Sequence, residues 1–484
     1  MKSSFHPIVR VAGLLAATTS LALAQETSTS GNAEIEALRQ QVQDLTRVVH
    51  DLQAQVRESN PATPARKPAA AARKESPPSA SHSAKAELTR PVSHEADLAA
   101  DLPSHDEHGT FNPQLTLILD SIASYSSSAN NANFIMRDIE LVLQADAGEL
   151  AHAYAVFNAG TELDPWTKTD PFEDISLGVE EAAIETTSLP YGLGIKAGQF
   201  FANFARLGKM HSNELPFTDR PVALEAILGG ETKARGVEFS WTPPTHKRTH
   251  FTVGAVDQIG AETAVTGVFE TLDGEEGDLF SSRSDRSMSD LTWYTRAQTG
   301  FDLSNCVSLS LGADYARGTD AGTRQLASGD VVLTWTPDAA AEQQLEVGGE
   351  FLHGSTDGSF ASDALFAGGP RSGSSTTDGA YLYAQYRINK VWEPGIRYDW
   401  FRPEAWSETD ANADGIADGL SRSTSTLNAV SAYLTCHLDE TNRLRFEVSR
   451  FQGDSGSFSG HDGDWVGYLQ WTVVLGDSHA HCDH

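Results

Sequence analysis

TLNAVSAYLTCHLDETNRLRFEVSRFQGDSGSFSGHDGDWVGYLQWTVVL, residues 426–475, is the stretch whose reading decides the fold. Leu444, Phe446 and Val448 alternate with Arg445, Glu447 and Ser449, and Leu469, Trp471, Val473 and Leu475 alternate with Tyr468, Gln470 and Thr472. Side chains of a strand point to opposite faces in turn, so each run has one apolar and one polar face. Both a lipid-embedded barrel around water and a soluble sandwich use such strands. Their connections separate the two. Asp439 to Asn442 is a short turn, whereas the next connection is a long glycine-rich loop.

The same pattern extends upstream, for example in Leu382, Ala384, Tyr386 and Ile388 against Tyr383, Gln385 and Arg387. Strands are expected near 114–125, 134–145, 150–159, 176–187, 192–200, 235–242, 249–257, 291–302, 306–316, 330–336, 344–353, 379–388, 391–400, 426–438, 443–451 and 464–475. Short turns alternate with long loops at 201–234, 258–290, 354–378 and 401–425. A sandwich has no reason to sort its loops this way, but an outer-membrane barrel does. Trp241, Trp335 and Trp392 flank short turns, and Trp400, Phe401 and Trp465 flank long loops. They are expected to form two interfacial girdles, where amphipathic rings sit best. The fold expected for 109–476 is an all-β transmembrane barrel of about sixteen antiparallel strands with an aqueous lumen.

Composition agrees. The chain has 484 residues, 39% hydrophobic, and a formal charge of −31, which argues against a nucleic-acid partner. Residues 101–484 hold 24 basic and 56 acidic side chains, so the acidity belongs to the barrel. No mature segment reaches the roughly 20 apolar residues of a membrane helix. Three distant cysteines make neither a disulfide framework nor a Cys-rich zinc module.

The first third reads differently. Residues 1–24 have a secretory signal's form: Lys2 and Arg10, a short apolar run from Val11 to Leu23, and Ala22-Leu23-Ala24 before Gln25. Within 25–58, Ile35, Leu38, Val42, Leu45, Val49, Leu52 and Val56 keep a heptad seam, which implies a coiled coil and self-association. β-Branched residues at a and Leu at d favour two strands. Residues 59–108, rich in Pro, Ala and Ser, are expected to be a disordered linker.

The third long connection reads GQFFANFARLGKMHSNELPFTDRP, residues 198–221. With the glycine-rich strand before it, this block resembles Gram-negative porin-like outer-membrane proteins that carry an N-terminal periplasmic coiled coil. That broad group includes phosphate-selective porins, and some relatives are named zinc-regulated TonB-dependent outer-membrane receptors. The receptor name fits poorly: a plugged 22-stranded transporter needs a folded plug, whereas a coil and linker precede Phe111 here. The polar tail after Leu475 also departs from barrels that end on an aromatic strand. The resemblance implies that the 201–234 loop folds into the pore as a constriction, and that the protein forms trimers.

Arg206, Lys209, His211, Glu214, Asp219, Arg220, Lys233 and Arg235 are the candidate constriction residues, beside Glu225 and Glu231. Opposed charges at a narrowing would set a transverse field and tune ion preference; ion pairing within the loop is the plainer alternative. His479, His481, Cys482 and His484 concentrate donors suited to zinc or copper. The first and last strands of a closed barrel are neighbours, which would bring His105 and His108 to the same rim. A solvated tail binding metal adventitiously is the alternative. Asp410, Asn412, Asp414, Ile416 and Asp418 match the start of a calcium loop, but the twelfth position is Ser421 rather than an acid. Gly453-Asp454-Ser455-Gly456 has no matching histidine context, and no enzyme motif accompanies it.

The expected function is therefore passive diffusion of small hydrophilic solutes or ions through an oligomeric channel embedded in outer-membrane lipid, with the coil in the periplasm. It is not expected to be an enzyme or to require a cofactor. A metal-linked uptake protein using the histidine tail is the alternative.

Overall fold

A computed structural model describes residues 113–166, 175–244, 248–260, 268–270, 276–278, 291–319, 322–359, 372–409, 419–453 and 462–476. The expected signal, coiled coil and linker lie outside these residues. So do His105, His108, the 477–484 tail and the 410–418 calcium-like loop.

The strands are β1 (Gln114–Ser126), β2 (Asn131–Asp146), β3 (Ala151–Gly160), β4 (Ser176–Thr186), β5 (Leu193–Phe201), β6 (Lys233–Trp241) and β7 (Arg248–Val256). There follow β8 (Val268–Glu270), β9 (Glu276–Asp278), β10 (Thr292–Ser304), β11 (Val307–Thr319), β12 (Gly322–Asp338), β13 (Gln343–Ser359) and β14 (Ser372–Arg387). The last are β15 (Trp392–Thr409), β16 (Gly419–Thr424), β17 (Leu427–His437), β18 (Asn442–Gln452) and β19 (Trp465–Gly476), and one helix, α1 (Val222–Leu228), lies between β5 and β6.

Each strand of the wall pairs antiparallel with its neighbour. β7 pairs with β10 and β15 with β17, so β8, β9 and β16 stand outside the ring. β8 instead runs parallel to the far end of β15, and β9 pairs with β8. The ring closes where β1 pairs with β19, from Thr116 opposite Gly476 to Ser126 opposite Val466. Asp120 fastens this seam: its Oδ1 accepts from Gln470 Nε2 at 2.9 Å and from Thr472 Oγ1 at 2.6 Å. The result is a closed antiparallel barrel of sixteen strands.

Burial along the strands is inverted relative to a soluble sandwich. Arg445, Glu447 and Ser449 are buried while Phe446 between them is 54% exposed. Gln470 and Thr472 are buried, and Leu469 and Trp471 are exposed. Phe134, Leu177, Trp293 and Ile396 likewise face outward. A charged residue is seldom buried without partners, so this wall keeps its polar face inward and its apolar face outward, as a lipid-facing barrel requires.

Three expectations need correction. First, the second half of the chain has longer strands than its patterning suggests. Residues 317–319 and 322–329 are ladder, as are 354–359, 372–378 and 401–409, all expected to be loop. Several of these extensions are rich in Ser, Thr and Gly, which leave no apolar alternation to read even where one face is buried, as at Thr356, Ser375 and Thr377. About 9–11 residues suffice to cross, and β12 to β15 run to 16–18. Second, Phe401 is not an outer girdle residue: it is buried, on the inward side opposite to exposed Arg402. Trp241, Trp335, Trp392 and Trp465 are exposed, with Trp241 stacked on Phe251 at 5.7 Å. Third, the expected aqueous lumen is partly filled, because the β5–β6 connection carries an apolar cluster into it.

Candidate pore constriction

The segment from Ala202 to Thr232 leaves β5 and returns as β6. Phe204, Leu207, Leu215, Phe217, Val222, Leu224, Ile227 and Leu228 are buried in one cluster with wall residues such as Tyr381, Tyr383 and Tyr433. Phe217 meets Tyr383 and Tyr433 edge-on at 5.8 and 5.9 Å. Helix α1 supplies much of this surface and packs against β13, β14 and β15. It is only seven residues long, so tertiary packing must support it. Gly229 ends it with a left-handed φ of 67°, its N–H donating to the Glu225 carbonyl. Where α1 crosses β14, a Cβ at Gly379 would stand 2.5 Å from the Ala223 Cβ. Glycine is what permits that approach.

Polar anchors then fix the segment around the wall. Arg397 of β15 donates to the Asp219 carbonyl at 2.9 Å and its carboxylate at 2.7 Å. Asp399 accepts from the Val222 N–H at 3.2 Å, and Glu447 of β18 accepts from the Thr218 N–H at 2.6 Å. Arg137 of β2 donates to the Thr218 carbonyl at 2.5 Å and the Ser212 carbonyl at 3.1 Å. Arg324 of β12 reaches the Ile227 carbonyl at 2.7 Å, Arg443 of β18 the Asn213 carbonyl, and Glu350 of β13 accepts the Arg206 N–H at 3.2 Å. Inward charges of the wall thus supply partners that loop backbone groups would otherwise find in water.

Of the candidate constriction residues, Lys209, His211 and Arg220 are buried within this segment, and Arg206, Glu214 and Asp219 are half-buried. Arg220 ties the segment to itself through the Leu207 and Met210 carbonyls, both at 2.8 Å, and Glu231 at 3.0 Å. Glu214 accepts from the His211 N–H at 3.1 Å. Lys233, at the start of β6, lies 3.5 Å from Glu180 and 3.7 Å from Glu231. Arg235 is not among them. It is exposed beside Asp257 at 3.3 Å, because Ala234 and Glu238 take the inward positions of β6.

Two side-chain clusters went unread in the sequence. On the wall, Arg296 bridges Asp314 at 2.6 Å and Asp330 at 2.8 Å, with Glu350 beside them accepting from Ser328 at 2.6 Å and Tyr381 at 2.8 Å. Between wall and loop, His211 meets Glu140, Glu180 and Glu181, all buried. In each, three potential metal-ligand atoms lie within 4.8 Å of one another. The available signal was charge at the polar positions of alternating strands, as in Arg397 and Asp399 beside Ile396 and Tyr398.

Outside the spanning strands, Asp464 precedes β19 and gathers the loops of one rim. Its carboxylate accepts from Ser126 and Ser127 hydroxyls at 2.7 and 2.6 Å, the Ser128 N–H at 2.7 Å and Trp166 Nε1 at 2.7 Å. Burial opposes its ionisation, but the serine donors prevail and hold it well below the ordinary carboxylate range. Ser421, at the twelfth position of the calcium-like loop, lies in β16 with its hydroxyl 2.7 Å from that of Ser407.

No protein-family model matches the chain. An uncharacterised protein of Aquifex aeolicus is 27% identical over 270 residues, 51% of this chain; the match spans 53% of that relative's length. Among solved structures, the chain is similar to the outer-membrane channel DcaP of Acinetobacter baumannii, with a TM-score of 0.48 and 11% identity over 77% of this chain and 100% of that one. It is similar to OprB of Pseudomonas putida, with 0.47 and 12% over 75% and 94%. A third is an anion-selective porin from Comamonas acidovorans, with 0.46 and 11% over 76% and 100%.

Proposed function

We propose that the protein is a porin-like outer-membrane channel through which small hydrophilic solutes or ions diffuse passively, with the 201–234 segment as its constriction. The inside-out burial carries this reading: Arg397, Asp399, Arg445 and Glu447 are buried inward while Ile396 and Phe446 are exposed outward. Rings of charged side chains are how pores select ions, and sixteen strands are wide enough for an aqueous path. Asp219 on the loop, facing wall charges such as Arg397 and Glu447, would set the field at the narrowing. The heptad segment of Ile35 to Val56 would hold protomers together in the periplasm as a trimer or dimer.

Planar-bilayer recording under a salt gradient tests the channel. Stepwise conductance is expected, with a reversal potential that reports the preferred ion sign. Removing residues 203–230 should raise unit conductance roughly two- to five-fold, in line with a lumen freed of its filling segment. A correctly folded barrel that conducts nothing, with or without the segment, would rule the reading out.

A further inference from the structure

We propose that Glu140 of β2, Glu180 of β4 and His211 of the inserted segment form a zinc site that pins the segment to the wall. Two strands and one loop contribute to it, and none can form it alone.

Three features point to a metal. The first is spacing. His211 Nδ1 lies 3.4 Å from Glu180 Oε2 and 3.7 Å from Glu140 Oε1. Charge-assisted hydrogen bonds run to about 2.7–2.9 Å. Donors each about 2.0–2.2 Å from a tetrahedral zinc stand roughly 3.3–3.5 Å apart. The observed separations suit ligands around a shared ion better than an imidazolium in direct contact with its acids.

The second is the far side of the ring. His211 Nε2 lies 3.2 Å from Glu181 Oε2, whose other oxygen is fixed by the Phe201 N–H at 2.8 Å. A metal-bound histidine commonly gives its second N–H to a carboxylate, which sets the tautomer and the ring plane. Donation to Glu181 turns the Nδ1 lone pair toward Glu140 and Glu180. Nδ1 then meets the two carboxylates either as a proton donor or, once that proton is lost, as a ligand to a cation held between them.

The third is charge. Glu140, Glu180, Glu181 and His211 are each at most 4% exposed. Asn213 donates to Glu140 Oε1 at 2.6 Å, Asn158 to Glu180 Oε2 at 3.3 Å, and Lys233 stands 3.5 Å from Glu180. The buried Glu140 Oε2 has no hydrogen-bond partner. Burying carboxylates this close together is costly without cations or a metal among them. One imidazole nitrogen with two carboxylates suits zinc, and binding would release the Nδ1 proton whenever the ring is protonated.

The experiment uses the full chain in detergent with His105, His108, His479, His481, Cys482 and His484 all changed to serine, which removes the terminal donors. Equilibrium dialysis against zinc should leave about one ion per chain. His211→Asn and Glu140→Gln should each weaken retention at least tenfold, and Glu181→Gln should weaken it about tenfold through the ring's orientation. Failure of the serine-substituted chain to hold zinc overturns the proposal, as does undiminished binding in folded His211→Asn. If the substitutions prevent folding, as judged by heat-modifiable gel migration, cobalt loading of the serine-substituted parent decides. Visible bands of a four-coordinate ion with nitrogen and oxygen donors are expected, and their absence overturns the site. Conductance is not read, so a silent barrel and a zinc-free barrel remain separate results.

Discussion

The two buried clusters are built from similar groups and solve the same problem differently. Asp314, Asp330 and Glu350 belong to adjacent strands and take their cation, Arg296, from the same sheet. From the inserted segment that wall cluster receives the Arg206 N–H at Glu350. Glu140, Glu180 and Glu181 also stand on the wall, but His211 must come from the loop to meet them. One cluster makes the sheet rigid. The other ties the inserted segment to the sheet.

The largest effect should come from breaking the self-sufficient cluster. Arg296→Met leaves Asp314 and Asp330 buried without their cation, at a cost of about 3–5 kcal/mol. Urea unfolding from micelles should show a much lower midpoint; a midpoint like the parent's would mean the sheet does not depend on that arginine. His211→Asn, by contrast, should make the 202–232 segment cleavable by added protease while the strands stay protected.

Packing of the filling segment should be worth less. Gly379→Val would drive a side chain into Ala223 of α1, and overpacking of this kind costs about 1–3 kcal/mol. The expected readout is a modest fall in thermal midpoint together with faster proteolysis of the segment. Loss of the midpoint alone would place the strain in β14 and not in the loop.

The smallest effect belongs to the rim. Asp464→Asn should cost about 1 kcal/mol at neutral pH. The folded carboxyl is depressed below its ordinary value, so its stabilisation is full above the unfolded pKa of about 3.9 and is lost as pH falls toward the folded value. The gap in thermal midpoint between parent and Asp464→Asn should therefore be constant above about pH 5 and narrow below about pH 4. A gap that widens on acidification would reverse the assigned sign.

The sequence made the barrel legible because membrane crossing imposes a local rule. Phe446 beside Glu447, or Leu469 beside Gln470, declares which face meets lipid without knowledge of any other strand. The overhanging ladders at 354–359 and 372–378 were illegible for the converse reason: Ser, Thr, Asp and Gly fill both faces, so even the buried Thr356, Ser375 and Thr377 alternate with no apolar residue. The 201–234 connection stands out in the sequence, but its fastening to the wall does not. Arg397 and Asp219 are 178 positions apart, and no local period links them. The apolar run Val222 to Leu228 marks a helix that fits only inside this barrel. Arg235 faces away from the interior because strand parity, which puts Ala234 and Glu238 in buried positions, and not charge, sets its direction.

The seam between β1 and β19 gives the molecule a clasp that cannot shut early. Until the last strand emerges, Asp120 has neither Gln470 nor Thr472 to receive, and both margins of the sheet stay bare. A chain stopped short of Trp465 would be an unsealed cylinder, prone to zip onto the margin of another copy. Whatever escorts the nascent protein to its membrane must therefore shield two raw borders and let them go together.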